Sequence, residues 1–353
     1  MAGGTGGHVF PGLAVAEVLR ERAAVVIWMG THRGMEARLV PRAGIEMEWI
    51  SIAGFRGRGL IAWLLVPFQL CIAVCQALRV FRRCRPAAIL GLGGFVSAPG
   101  GLAAWLIGRP LLIHEQNAVA GTTNRLLARF ACRVFEAFPN SFGSTVQAEL
   151  VGNPVRRSIV ALPPPRQRLG QRQARPRVLV LGGSQGARVL NKTLPIAFSR
   201  LPADIRPEVW HQAGKGLSQA EAAYAEVNFV AKVENFVRDM AKAYGWADLV
   251  VSRAGALTIS ELSAAGIGAL LIPYAHAIDD HQMKNANRFV SRGAGVVIPE
   301  SELDIRRLTR ELECLLGNRE RLLELAENAR EQSKGHAAAR LADACLEFTG
   351  PIP

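Results

Sequence analysis

Three glycine clusters constrain the fold of this chain more than any other feature. AGGTGGHVFPGLAVAEVL (2–19), GLGGFVSAPGGLAAW (91–105) and LGGSQGARVLNKTLPIAF (181–198) each place glycines directly ahead of a stretch with helical character. The second and third follow short apolar runs, AAILGLG (87–93) and RVLVLGG (177–183). Strand, glycine turn and helix in that order is the repeating unit of an α/β domain with a parallel sheet. The first cluster is the exception, with only Met1 and Ala2 ahead of it. Either its strand lies upstream, or the first sheet lacks its central strand. The former is the expectation, because an absent central strand leaves both neighbours with open edges.

Further runs extend the pattern. AAVVIWMG (23–30), EMEWISI (46–52), PLLIHEQ (110–116) and CRVFEAF (132–138) are predicted strands of a first half. ALPPPRQRLGQRQARP (161–176) reads as a linker, rich in proline and arginine. EVWHQAG (208–214), NFVAKV (228–233), ADLVVSRAG (247–255) and GALLIPY (268–274) follow as strands of a second half. At 353 residues the chain fits two domains of ordinary size.

The net charge of +13 is unevenly made, with fifteen Arg, eight Glu and neither Lys nor Asp in residues 1–155. Such a surface suits anionic lipid, nucleic acid or phosphorylated ligands, and the absence of an aromatic-interleaved basic stripe argues against nucleic acid. GLIAWLLVPFQLCIAVCQAL (59–78) is uncharged for twenty residues, long enough to span a bilayer. A span would put the first and second glycine turns on opposite sides of the membrane, so the expectation is an interfacial segment. Ile61, Trp63, Leu64 and Phe68 would dip into lipid while Arg56, Arg58, Arg79, Arg82, Arg83 and Arg85 meet phosphates. An ordinary buried helix is the alternative. The start carries no basic-then-apolar leader, which predicts a cytoplasmic location. The six cysteines show no metal-ligand spacing, so no metal is expected.

Glycine turns ahead of helices bring backbone N–H groups and a helix N-terminus up to an anion, and a diphosphate is the natural ligand. The spacing is neither G-x-G-x-x-G with a following acid nor a P-loop, which argues against dehydrogenase and kinase chemistry. Near SRAGALTISEL (252–262), Glu261 is placed either to accept both hydroxyls of a ribose or to act as an acid near a helix N-terminus. AHAIDDHQMKNA (275–286) offers Asp279, Asp280, His281 and Gln282 to sugar hydroxyls, or to solvent. HEQN (114–117) and His8 give the first half a carboxylate, an amide and a histidine, enough for a general base and its partners.

AGGTGGHVFPGLAVA, GFVSAPGGLAAW, HEQNAVAGTTNRLLA, VGNPVR, LGGSQGARVLN, WHQAGKG, ADLVVSRAGALTISEL and DDHQMKNA together, in this order and spacing, resemble the MurG family of peptidoglycan N-acetylglucosaminyltransferases, glycosyltransferase family 28. The resemblance covers nearly the whole chain. It implies a GT-B fold of two Rossmann-like domains facing across a cleft, residues 1–156 joined by 335–353 taking the acceptor and the membrane, and 157–334 taking the donor. It also implies an inverting transfer of N-acetylglucosamine from UDP-N-acetylglucosamine to the 4-hydroxyl of the muramoyl sugar of lipid I, giving lipid II without a cofactor. By the motifs, Thr5, Gly6, Gly7 and Asn117 approach the donor's diphosphate and sugar, while Arg156 and Ser184 hold phosphate. The backbone of Val237 meets uracil, Ala256, Leu257, Thr258, Ile259, Ser260 and Glu261 cradle ribose and diphosphate, and Gln282 binds sugar hydroxyls. The implied setting is peripheral, on the cytoplasmic face of the inner membrane against anionic inner-leaflet phospholipid, with cell-wall synthesis proteins as further partners and no nucleic acid. The expected base is His8, with Glu115 in reserve. A UDP-sugar 2-epimerase of the same fold, or a catalytically impaired sugar-nucleotide or membrane-binding module, are the competing readings.

Overall fold

The computed structural model describes residues 1–52, 66–170, 174–183, 186–274 and 281–349. The expectations placed on Arg56, Arg58, Ile61, Trp63, Leu64, Ser184, Asp279 and Asp280 lie outside the described residues. Contacts divide the chain into two compact units, Met1–Arg156 with Lys334–Pro353, and Arg157–Ser333.

The first unit carries β1 (Ile27–Gly30), β2 (Glu46–Trp49), β3 (Ile89–Gly91), β4 (Leu111–Glu115), β5 (Arg133–Glu136) and β6 (Glu149–Leu150). Its helices are α1 (Gly6–Glu21), α2 (Glu36–Arg42), α3 (Val66–Cys84), α4 (Ser97–Leu106) and α5 (Thr122–Leu127). All pairings are parallel, and the strands fall into a β1–β2 pair and a β3–β4–β5–β6 sheet. Met1 and Ala2 lie between them. The Met1 ammonium donates to the Leu90 carbonyl at 2.7 Å, Leu92 N–H to the Met1 carbonyl at 3.0 Å, and Trp28 Nε1–H to the Ala2 carbonyl at 2.9 Å. Beside these contacts is a cavity of about 350 Å³ lined by apolar side chains that include Val15, Leu19, Trp28, Met29, Leu90 and Leu346. The sheet is thus split where the sequence pattern asks for a central strand.

The second unit is one six-stranded parallel sheet of β7 (Arg177–Leu181), β8 (Glu208–Gln212), β9 (Lys232–Glu234), β10 (Leu249–Ser252), β11 (Gly268–Leu271) and β12 (Gly295–Val297), in the order β12-β11-β10-β7-β8-β9. Its helices are α6 (Arg157–Val160), α7 (Pro165–Leu169), α8 (Arg188–Ser199), α9 (Leu217–Glu226), α10 (Met240–Trp246), α11 (Ala256–Ala265), α12 (His281–Val290), α13 (Ile305–Leu316) and α14 (Arg319–Glu331). Strand order reverses between β7 and β10, and ligands of such sheets bind beyond the carboxyl ends of the strands at that point. The core is built from the alternate faces of these strands, with Val178, Val180, Leu249, Val251 and Leu270 packed against Leu190, Leu194 and Phe198 of α8 and Leu308 and Leu312 of α13. The chain then returns to the first unit through α15 (Ala337–Leu346), which packs on α1.

Two sequence expectations need correction. The stretch 161–176 is more than a linker, because α7 sits inside it and Leu169 joins the core of the second unit. Arg168 donates to the carbonyls of Ala265 and Gly266 at 2.5 and 2.7 Å and so satisfies the end of α11. The run 228–233 yields a strand only from Lys232, since Asn228 takes a positive φ of 49° and Val230 is 93% exposed. An apolar side chain left in solvent marks a loop here.

Candidate active site

In the first unit, the turn ahead of α1 meets the turn after β3, and the end of β4 lies nearby. Residues 3–5 lead into α1, whose N-cap Thr5 is extended (φ −109°, ψ 160°). Gly6 and Gly7 are the first helical residues, so their N–H groups precede any intrahelical acceptor. His8 follows, its Nδ1 3.2 Å from Thr5 Oγ1. The other side of the ring lies against the turn after β3, where a Cβ on Gly93 (φ +88°) would sit 3.2 Å from Nε2. Glycine is needed at 93 for both the backbone conformation and the approach of the imidazole. Burial pushes the His8 pKa below the ordinary histidine value, against the opposing fields of Glu115 and Glu36. A neutral imidazole at pH 7 can take a proton.

At the end of β4, Glu115 is buried, and its carboxylate accepts four hydrogen bonds. Oε1 takes Asn117 N–H and Asn117 Nδ2, both at 3.0 Å, and Oε2 takes Gly121 N–H at 3.0 Å and Asn124 Nδ2 at 2.9 Å. This geometry suits a group that fixes Asn117 and the loop behind it rather than one that exchanges protons. His114 beside it is buried with Nε2 2.8 Å from the Gly152 carbonyl, and burial lowers its pKa to about 4. Arg156 closes the unit, its guanidinium 4.8 Å from the centre of the Phe10 ring on α1.

In the second unit, the turns after β7 and β10 flank the switch point. Gly183 (φ +73°) and Gly186 (φ +79°) bound the first, and Arg253–Gly255 form the second, leading into α11. Ala256 and Ile259 of α11 are buried and Leu257, Thr258 and Ser260 partly exposed, with Ser260 Oγ donating to the Ala256 carbonyl at 3.0 Å. Glu261, 6% exposed, accepts from Tyr244 Oη at 3.0 Å. It is the sixth residue of α11, beyond the first turn where a carboxylate meets the helix dipole. Val237 N–H donates to Gln212 Oε1 at 2.9 Å. Gln282 accepts Tyr274 N–H at 3.0 Å, tying the start of α12 to the residues just past β11. Arg253 donates to the Ile272 carbonyl in the same stretch at 3.0 Å and pairs with Glu300, after β12, at 2.9 Å.

The first unit exposes apolar side chains on each of two helices that pack together, α3 and α4. Phe68 is 67% exposed and Trp105 50%, and Ile72 and Leu106 are also exposed. Ala73, Val74, Ala77, Val80 and Phe81 form the buried face of α3, so the helix is amphipathic with Arg79 and Arg82 exposed toward its end. Arg83 forms an ion pair with Glu48. Among the described residues, no helix is long and apolar enough to cross a membrane, and no cluster of three or more His, Cys, Asp or Glu has metal-binding geometry.

Sequence reasoning missed Glu36, Asn124, Gln212, Tyr244 and Trp105. Trp105 alone had a readable signal, standing in the apolar AAWLIG after the second glycine cluster.

Comparison with known proteins accounts for both units. The glycosyltransferase family 28 N-terminal domain matches residues 1–136 and its C-terminal domain residues 177–343. A Nitrosococcus oceani protein named UDP-N-acetylglucosamine--N-acetylmuramyl-(pentapeptide) pyrophosphoryl-undecaprenol N-acetylglucosamine transferase is 56% identical over 348 residues, covering 98% of this chain and 97% of its own. A Marinobacter nauticus protein of the same name is 51% identical over 348 residues, covering 98% of this chain and 96% of its own. The crystal structure of Acinetobacter baumannii MurG superposes with a TM-score of 0.83 at 39% identity, covering 98% of each chain. With both domains matched in order and full-length relatives above half identity, the chain belongs to glycosyltransferase family 28.

Proposed function

We propose that this chain is the N-acetylglucosaminyltransferase that moves N-acetylglucosamine from UDP-N-acetylglucosamine to the 4-hydroxyl of the muramoyl sugar of undecaprenyl-diphospho-N-acetylmuramoyl-pentapeptide. The name shared by its full-length relatives supports the substrates. The observation that carries the chemistry is the geometry of His8, a half-buried histidine with Nδ1 3.2 Å from Thr5 Oγ1 at the head of a glycine-led helix. In the transfer, the imidazole takes the proton of the 4-hydroxyl as that oxygen attacks the anomeric carbon. The bond to the β-phosphate oxygen breaks, UDP leaves with the electron pair, and the configuration inverts. Negative charge growing on the diphosphate is met by helix N-termini after the glycine turns and by Arg156.

Glu115 acts in this reading as a positioning group, because a carboxylate that already accepts four hydrogen bonds holds Asn117 more readily than it takes a substrate proton. In the second unit, the turn after β10 and the first residues of α11 hold diphosphate, Glu261 meets the ribose, Val237 the base and Gln282 the sugar. Since Val237 N–H is committed to Gln212, its carbonyl is the group offered to uracil. The enzyme associates with the membrane peripherally, through Phe68, Ile72, Trp105 and Leu106 with Arg79 and Arg82 at the lipid phosphates, on the face where the polyprenyl acceptor is presented.

The deciding experiment is transfer of labelled N-acetylglucosamine from its UDP donor to a short-chain lipid I analogue, run beside a UDP-N-acetylglucosamine 2-epimerase assay. Transfer without epimerisation is expected. Epimerisation, or UDP binding with neither reaction, overturns the assignment.

A further inference from the structure

We propose that Glu36 is a positioning residue of the transfer step, a buried carboxylate that fixes the turn Gly3–Thr5 and thereby the place of His8. The proposal rests on the reading of His8 as base. Glu36 opens α2 and is fully buried. Its Oε2 accepts Gly4 N–H at 2.9 Å, and its Oε1 accepts Thr31 N–H at 3.1 Å and Thr31 Oγ1–H at 2.9 Å. Met35 N–H, next to it, donates to the Gly4 carbonyl at 3.4 Å. Both polar groups of Gly4 (φ +95°) are therefore held by the start of α2. One residue later, Thr5 caps α1 and meets His8.

The socket is shaped around this side chain. A Cβ on Gly3, Gly30 or Gly34 would lie 2.8, 2.8 or 1.9 Å from Glu36 atoms, so both the turn ahead of α1 and the connection from β1 to α2 give up side chains to admit it. An apolar residue would fill such a space without the cost of burying a charge. What the carboxylate adds is three directed hydrogen bonds joining the end of β1 to the glycine turn. Its charge also acts on the imidazole. Glu115 from β4 and Glu36 from α2 are the carboxylates that raise the His8 pKa against burial, so neutralising Glu36 lowers it further.

The test is Glu36→Gln, with steady-state transfer to a short-chain lipid I analogue and NMR titration of the His8 imidazole in histidine-labelled protein, its signal identified by loss in His8→Gln. A glutamine cannot accept from all three donors and carries no charge. We expect kcat to fall roughly tenfold or more, as for a displaced reacting group, KM for UDP-N-acetylglucosamine to stay within about twofold, and His8 to titrate at lower pH than in the parent. An unchanged kcat overturns the proposal. So does a lower kcat with an unmoved His8 titration and a lowered melting temperature, the mark of a purely structural residue. If Glu36→Gln does not fold, Glu36→Asp keeps the charge on a shorter arm, and a parent-like kcat in it overturns the proposal equally. Failure of the base reading is separate, since there His8→Gln itself retains turnover.

Discussion

Tyr244 on α10 donates its phenolic hydrogen to Glu261 on α11 at 3.0 Å, and both side chains are buried. The carboxylate assigned to the ribose is thus oriented from behind. Removing the donor in Tyr244→Phe should weaken UDP binding about tenfold or more with the fold intact, the scale of one hydrogen bond to a charged group. Calorimetric titration with UDP reads this directly. Unchanged affinity in both Tyr244→Phe and Glu261→Ala would remove Glu261 from the ribose site.

For His8, loss of the imidazole in His8→Ala should lower turnover about 10²-fold or more, as for a general base, with UDP affinity held. Because burial lowers its pKa, the base stays neutral to more acid pH than an ordinary histidine, and the acid limb of kcat should lie below about pH 6.5. A limb at or above that value argues for another group.

Acid stability follows from two other histidines. His114 and His211 are both brought down to about 4 by burial. Folding therefore favours their neutral forms, the unfolded chain binds more protons, and the stability they contribute is complete above about pH 6.5 and lost as pH falls toward 4. His211 lies between Asn191 Oδ1 and Tyr224 Oη, 3.1 Å from each. Thermal melts from pH 7 to 4 should show a smaller acid loss in His211→Gln than in the parent, and equal slopes would exclude His211 as a source.

At the surface, Phe68→Ser with Trp105→Ser should reduce sedimentation with anionic vesicles while leaving the melting temperature within a few degrees, since both side chains are at least half exposed. Full retention on vesicles would turn attention to residues outside this pair.

Gln212→Leu removes the acceptor for Val237 N–H. A buried N–H left without a partner costs about 1–3 kcal/mol, so the variant should melt lower and discriminate less between UDP and other nucleoside diphosphates, as a competition assay would register. Equal discrimination would detach Gln212 from base recognition.

Much of this architecture was legible because glycine turns and short apolar runs report directly on a parallel sheet. β7, β8 and β11 begin at the residues where the runs 177–183, 208–214 and 268–274 begin. β12 escaped notice, a three-residue edge strand too short for a periodic signal. The site divides along similar lines. His8 and Asn117 follow turns that sequence can locate, whereas Glu36 looks in sequence like any acid at a helix start. Its link to the glycine turn depends on Gly3 and Gly4, more than thirty residues earlier in the chain, folding back onto it. Glu115 was readable as a carboxylate near the crevice but not as one saturated with donors.

The passage of the chain through α15 has a consequence for synthesis. Leu341, Ala342 and Cys345 of α15 complete a core with Val15, Leu112 and Phe135, and Arg340 reaches Glu149 at 2.6 Å. A ribosome delivers these partners at least 191 residues apart, with all of Arg157–Ser333 emerging between them. The second unit, contiguous in sequence, can close while translation continues, as domains generally do. The first must wait with part of its apolar surface uncovered until residues 334–349 appear, so the unit made first is the one finished last.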